Sequence, residues 1–212
     1  MTEKQTRTVV KKVKNATLYS DGTILVEGVR LSFPHLGKAY EGKDDDGNVQ
    51  KKFSLKGAMP KATHAEAMRL IKGEMDRMMK ENKIDDLASD RKFLRNGDTM
   101  GRAEFKGMYV LSASESNRPH LRDRRAAKVE PENADQMFYG GCWANVLVRP
   151  WWQNHQKYGK RVNAGLAAVQ FLRDDEPFGE GRISDEDVDD TFAPVGEDDS
   201  GFGGGDDDLD DL

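Results

Sequence analysis

The sequence predicts a mainly β protein with helices, of the α+β kind: a small barrel of five or more strands with one capping helix, followed by a disordered acidic tail. Three observations lead there. Short stretches of alternating apolar and polar residues recur between turn signals from Ala16 to Leu172, as half-buried strands require. A single clear stretch, from Thr63, carries apolar residues at helical spacing. The charge is also divided. The chain has 38 acidic and 33 basic residues, of which Asp174–Leu212 holds 17 acidic and one basic, Arg182. That leaves 21 acidic and 32 basic residues in positions 1–173, a body at +11 and a tail at −16. Such asymmetry points to nucleic-acid binding or to an interaction tail.

The organisation that follows is a flexible basic arm over residues 1–15, a folded domain over 16–173 and the tail over 174–212. The arm carries Lys4, Arg7, Lys11, Lys12 and Lys14 with little to bury, and either adds phosphate contacts or is simply solvated. Strand character begins at Ala16. Asp21-Gly22 signals a turn before the β-prone run Thr23-Ile24-Leu25-Val26. Val29, Leu31 and Phe33 then alternate with Arg30, Ser32 and Pro34, which predicts one apolar face. Glu41–Asn48 reads as a solvated loop. A second strand follows, with Phe53 and Leu55 on one face and Lys52, Ser54 and Lys56 on the other.

The helix is expected from Thr63 to about Lys80. Thr63 and Glu66 have the spacing of a capping box, and Met68, Ile71, Met75 and Met78 form its apolar stripe, read as core packing. Residues 81–100 read as helix end and loop. A third strand covers Phe105–Ser112, and 114–136 reads as a polar connection interrupted by short helices. Its Arg118, Arg122, Arg124, Arg125 and Lys128 suit either a phosphate clamp or an exposed helix face. Cys142–Arg149 has the strongest strand pattern, with Pro150 expected to end it. A last strand, Val162–Leu172, hairpins back through Gln153–Gly159. No convincing internal repeat is present. Beyond Leu172 the acidic, Gly-rich composition buries too little apolar area to offset the entropy of ordering.

Several function classes are disfavoured. The one cysteine, Cys142, excludes an intramolecular disulfide and a cysteine zinc site, and reads as a packed strand residue. His35, His64, His120 and His155 are scattered, and His64 reads as structural. There is no P-loop and no nucleophile elbow. Asp44-Asp45-Asp46 reads as a solvated turn rather than a metal site. No cofactor, no metal and no enzymatic activity are expected. No apolar run spans a membrane and the first residues are polar, so a soluble cytoplasmic protein with no membrane partner is expected.

What remains is positive. Binding an unpaired strand needs cations for phosphates and aromatic faces for bases. The segment Trp143–Arg161 supplies both, in Trp143, Arg149, Trp151, Trp152, Lys157, Tyr158, Lys160 and Arg161. Trp143 divides evenly between core and function. Adjacent Trp151 and Trp152 are hard to bury together, so at least one is expected to stack on a base. Arg30, Lys52 and Lys56, on the outer strand faces, form a second basic set.

In order along the chain, Val29-Arg30-Leu31-Ser32-Phe33-Pro34-His35-Leu36, Lys52-Phe53-Ser54-Leu55, the Arg118-Pro119 region, Phe138-Tyr139-Gly140-Gly141-Cys142-Trp143-Ala144 and Gly165-Leu166-Ala167-Ala168-Val169-Gln170 resemble tailed-phage single-stranded DNA-binding proteins, distantly similar to the podovirus replication proteins of that type. The resemblance implies a five-stranded oligonucleotide-binding (OB) barrel and sequence-tolerant binding of single-stranded DNA in phage replication, recombination and repair, in the cytoplasm of an infected bacterium. It also implies a tail that contacts replication or recombination proteins. The tip, Asp206-Asp207-Asp208-Leu209-Asp210-Asp211-Leu212, is the expected docking element; it ends in Leu212 where such tails often end in an aromatic residue. A homodimer is compatible with the sequence. The rival readings are a strand-annealing recombinase, a protein-interaction adaptor or chaperone, and, distantly, a nuclease.

Overall fold

In the computed structural model, residues 7–43 and 47–178 are described. Their strands are β1 (Val9–Val13), β2 (Ala16–Tyr19), β3 (Ile24–Lys43), β4 (Val49–Pro60), β5 (Leu94–Asn96), β6 (Met108–Glu115), β7 (His120–Arg122), β8 (Trp143–His155) and β9 (Gly159–Arg173). Two helices join them, α1 (Lys61–Glu81) and α2 (Pro131–Met137). Five long strands form the body in the order β6-β4-β3-β8-β9, all antiparallel neighbours. The two ends of that row are stitched together by Phe93. Its N–H donates to the Val162 carbonyl of β9 at 3.0 Å, and its own carbonyl accepts from Ser112 N–H of β6 at 2.8 Å. A five-stranded barrel with one partly open seam results, which is the OB architecture.

The barrel interior is filled by alternate residues of these strands, among them Val29, Leu31, Leu55, Met59, Leu111, Val146, Val148, Leu166 and Val169, all buried. Helix α1 lays Leu70, Ile71, Met75 and Met79 against this core. It touches β1, β2, β4, β6, β8 and β9, and so caps the barrel as expected. The helix starts earlier than its sequence suggested. Its N-cap is Pro60, and no side chain caps it. Thr63 instead donates to the Pro60 carbonyl, while Glu66 accepts from the Lys14 backbone N–H at 3.3 Å, so the capping box does not form. His64 is buried and structural: its ring Nε2 bonds the Glu27 carbonyl at 2.9 Å, at a kink in the helix.

Five further expectations are corrected. The basic arm is not free throughout, because β1 pairs with β2 from Val9 to Val13. The stretch 81–100 contains β5, and Phe105 lies in a 3₁₀ turn before β6 rather than in the strand. The connection 114–136 holds β7, paired in parallel with β9, as well as α2. Pro150 does not end its strand: β8 runs on to His155. The reason lies in the pairing. The β3 partner ends with Ile24 opposite Val148, so beyond that point β8 needs N–H donors toward β9 only, and a proline is tolerated.

Candidate nucleic-acid interface

Two contiguous clefts, of about 610 and 640 Å³, run across the outer face of β4 and β6. The floor is made by period 2: Ser54 and Lys56 of β4 and Ser112 and Ser114 of β6 all point outward. One wall is the β3–β4 hairpin, which presents Tyr40, Lys43 and Lys52. The other is the β8–β9 hairpin, which presents Trp151, Gln153, His155, Tyr158, Arg161 and Asn163. At the far end Phe33 stands between Lys56 and Arg102, with Arg91, Lys92 and Arg95 alongside. Among the described residues, eight lining side chains are Lys or Arg and one, Asp90, is a carboxylate. The surface is therefore built to attract a polyanion.

The aromatic groups stand out from this floor. Tyr40 is 56% exposed, Trp151 45%, Phe33 44% and Tyr158 37%. His155 stacks on Tyr158 with centroids 4.8 Å apart, which stiffens the hairpin tip. The hairpin tip is also anchored to the 89–91 turn. Arg161 donates to the Asp90 carbonyl at 2.7 Å, and Arg91 donates to the Tyr158 carbonyl at 3.1 Å. Gly159 adopts φ +70°, and an alanine methyl there would lie 2.4 Å from Arg91 Nη1 and push that side chain aside.

Of the residues singled out by sequence, Lys52, Lys56, Trp151, Tyr158 and Arg161 line the groove. Lys157 sits at the hairpin tip, 5.6 Å over the Tyr158 ring. Trp152 does not join them. It is one residue on from Trp151 in a strand, so it faces the other way and packs against the core. Lys160 is exposed on that reverse side, opposite Asn154. Arg149 is outside the groove, 3.6 Å from Asp21. Arg118, Arg122 and Arg124 donate to the carbonyls of Gly37, Leu121 and Leu172, and Lys128 pairs with Glu130, so this set is neither a helix face nor part of the groove.

Arg30 and Trp143 belong to a different construction. They are cross-strand neighbours, and both grip the segment 174–178. Trp143 Nε1 donates to Asp175 Oδ2 at 2.5 Å, and Arg30 donates to the Glu176 carbonyl at 2.5 Å. The Arg30 guanidinium lies 4.3 Å over the Phe178 ring, and that of Arg173 lies 4.6 Å over Trp143. The Trp143 hydrogen bond, the Glu176 N–H and then Arg30 and Arg173 hold the Asp175 carboxyl below its usual range. Residues 174–178, assigned to the tail by composition, thus pack on the barrel. The tail tip Asp206–Leu212, and Asp44-Asp45-Asp46, lie outside the described residues.

Sequence reading missed Phe33, Tyr40, Arg95, Arg102 and Asn163. For Phe33 a signal existed in Pro34, since proline inside a strand marks a bulge or an edge. The β3–β4 register shifts between Ser32 and His35, Phe33 adopts φ +49°, and its ring turns outward while Ser32 is buried. The arginines come from a stretch with no periodicity to read.

Cys142 is buried, and burial pushes its thiol up to about 12, as fits a packed residue. Among the described residues no cluster of His, Cys, Asp or Glu suits a metal ion, and no helix is long and apolar enough to cross a membrane.

A five-stranded barrel with a cationic, aromatic groove over its second and third strands, between the loop joining strands one and two and the loop joining four and five, is the OB class of fold. Comparison narrows the class. The chain belongs to the Enterobacter phage Enc34 ssDNA-binding protein family, whose model matches residues 22–200. The solved structure of the single-stranded DNA-binding protein from bacteriophage Enc34 is 38% identical and superposes with TM-score 0.75, covering 87% of this chain and 99% of that one. The same relative, solved in complex with ssDNA, matches at TM-score 0.75 over 82% of this chain and 99% of its own. Protein p50 of Acyrthosiphon pisum secondary endosymbiont phage 1 is 31% identical over 178 residues, 79% of this chain and 92% of that protein. Bacteriophage T7 gp2.5 is a distant likeness, at 13% identity and TM-score 0.44.

Proposed function

We propose that this chain is a phage single-stranded DNA-binding protein that lays the strand along the β4–β6 groove and acts without enzymatic chemistry. The observation that carries the reading is the groove itself: eight cations against one carboxylate, interleaved with four exposed aromatic rings. Cations meet phosphates, rings stack on bases, and neither contact reads sequence. The solved complex of the Enc34 relative with ssDNA supports the same ligand. In this reading Lys52, Lys56, Trp151, Lys157, Tyr158 and Arg161 act directly. Arg30, Trp143, Arg149, Trp152 and Lys160 serve elsewhere.

The protein would coat transient single strands in the infected cell, remove secondary structure and shield them during replication, recombination and repair. The acidic tail would compete for the groove when DNA is absent. Once displaced, it would offer Leu209 and Leu212 to a replication or recombination protein. The test is a titration of labelled single- and double-stranded oligonucleotides at several salt concentrations. Preference for the single strand is expected, with a log–log salt slope of roughly −3 if about four phosphates are held. Weak, equal binding to both forms would reduce the groove to generic electrostatics and overturn the proposal.

A further inference from the structure

The Phe33 end of the groove has three properties that a merely basic surface does not need. Phe33 is held at φ +49°, a conformation costly for any side chain with a Cβ, and its ring is turned out to 44% exposure. Arg102 lies 4.6 Å and Lys56 5.3 Å from the ring centroid. Arg95, on β5, lines the same cleft with a buried Nε that has no hydrogen-bond partner among the described residues. Buried donors are almost always satisfied, so this orphan, on a residue that lines the cleft, is a donor still open to an acceptor should the side chain shift.

The charges make the same demand. Burial, followed by Arg102 and Arg95, pushes the Lys56 ammonium below its ordinary value. The carboxylate acting on it is Glu104, already 3.6 Å from Arg102. Three cations are therefore gathered against one shared carboxylate.

We propose that this end is a nucleotide-unit subsite, in which Phe33 offers its ring to one unpaired base while Lys56, Arg95 and Arg102 take the adjoining phosphate. The proposal rests on the single-strand reading above and adds a division of labour to it. Arg102 lies over the ring and is 51% exposed on its side chain, so it can swing from ring to phosphate as a base enters. Backbone strain at Phe33 aims the ring, and the cations fix the step of the strand beside it.

The test uses the full chain and two labelled ligands of equal length, an oligothymidine and an abasic oligonucleotide with the same phosphates. Phe33→Ala should weaken oligothymidine binding by about tenfold or more and leave abasic binding unchanged. Phe33→Trp should restore the loss. Arg95→Gln and Arg102→Gln should weaken both ligands and flatten the salt slope by about 0.7 each. A melting curve accompanies each variant. Arg102, at the surface, carries the phosphate arm alone if Arg95→Gln melts early. Phe33→Ala acting equally on both ligands, or on neither, overturns the base assignment. An unchanged salt slope in Arg102→Gln overturns the phosphate assignment. Either result can occur while the intact chain still prefers single strands, so failure of the subsite is distinct from failure of the function.

Discussion

At the residue scale, the adjacent tryptophans separate stacking from stability. Trp151 stands in the groove and Trp152 against the core, on opposite faces of β8. Trp151→Ala is expected to cost about 1–3 kcal/mol of single-strand affinity with an unchanged melting temperature. Trp152→Ala is expected to cost about 2–4 kcal/mol of folding stability, with DNA affinity near normal wherever the chain is folded. Paired titration and melting curves check both, and a reversed pattern would show that the strand faces are misassigned. Lys56 gives a pH signature. Its folded-state value is lowered, by burial first and then by Arg102 and Arg95, so it loses its charge at a lower pH than an ordinary lysine. A phosphate beside it would favour the charged form. Binding should therefore weaken as pH rises through that lowered value, with proton uptake on binding, and Lys56→Arg should remove this alkaline limb. A titration at alkaline pH, with the variant beside it, decides the point. The outward lysines were legible because strict alternation of Lys52, Ser54 and Lys56 survives in β4. Phe33 was not, because a single left-handed residue inverts the faces beyond it.

At the scale of elements, the segment Asp174–Phe178 shows how composition misleads. Its three carboxylates in five residues read as tail. What overrides composition is local geometry. Gly141, at φ +117°, lets the chain pass so close that an added Cβ would lie 2.4 Å from the Glu176 carbonyl oxygen. Phe178 N–H then donates to the Gly140 carbonyl at 2.9 Å, and Tyr139, Trp143 and Arg30 close over the carboxylates. The pattern Tyr139-Gly140-Gly141 was visible in sequence, but its partner 34 residues later was not. Gly141→Ala should expel the segment, and a chain ending at Arg173 should show the same loss. Both should melt below a chain ending at Phe178, by about 2–4 °C for each kcal/mol lost at this size. Equal melting temperatures would mean that the contacts contribute nothing. The acid limit follows from Asp175. Its folded value is depressed, so its contribution is present above the ordinary carboxylate range and is lost as pH falls through the folded value. The fluorescence of Trp143 should report that release, in a Trp151→Phe, Trp152→Phe background, and Asp175→Asn should remove the transition.

For the whole molecule, the packed segment redraws the charge division. Asp174, Asp175 and Glu176 move with the body, which leaves residues 1–178 at +8 and the remaining tail at −13. In the proposed reading residues 179–212 act as a tethered polyanion, and tethering makes a competitor far more effective than the same segment free in solution. A modest intrinsic affinity is then enough for competition with DNA. The expected outcome is that a chain ending at Phe178 binds single strands more tightly than the full chain. The gap should be widest at low salt and should close as salt rises if the proposed tail contact and the strand rely on the same screened charges. Generic repulsion between tail and DNA predicts the same trend, so truncation alone does not separate the two accounts. A free peptide with the sequence of residues 179–212 does. If the tail occupies the groove, the peptide inhibits the truncated chain in a dose-dependent way, and Lys56→Gln or Arg161→Gln weakens that inhibition together with DNA binding. If repulsion is the whole effect, the untethered peptide leaves binding unchanged at matched ionic strength, and the tail weakens DNA binding without occupying the groove.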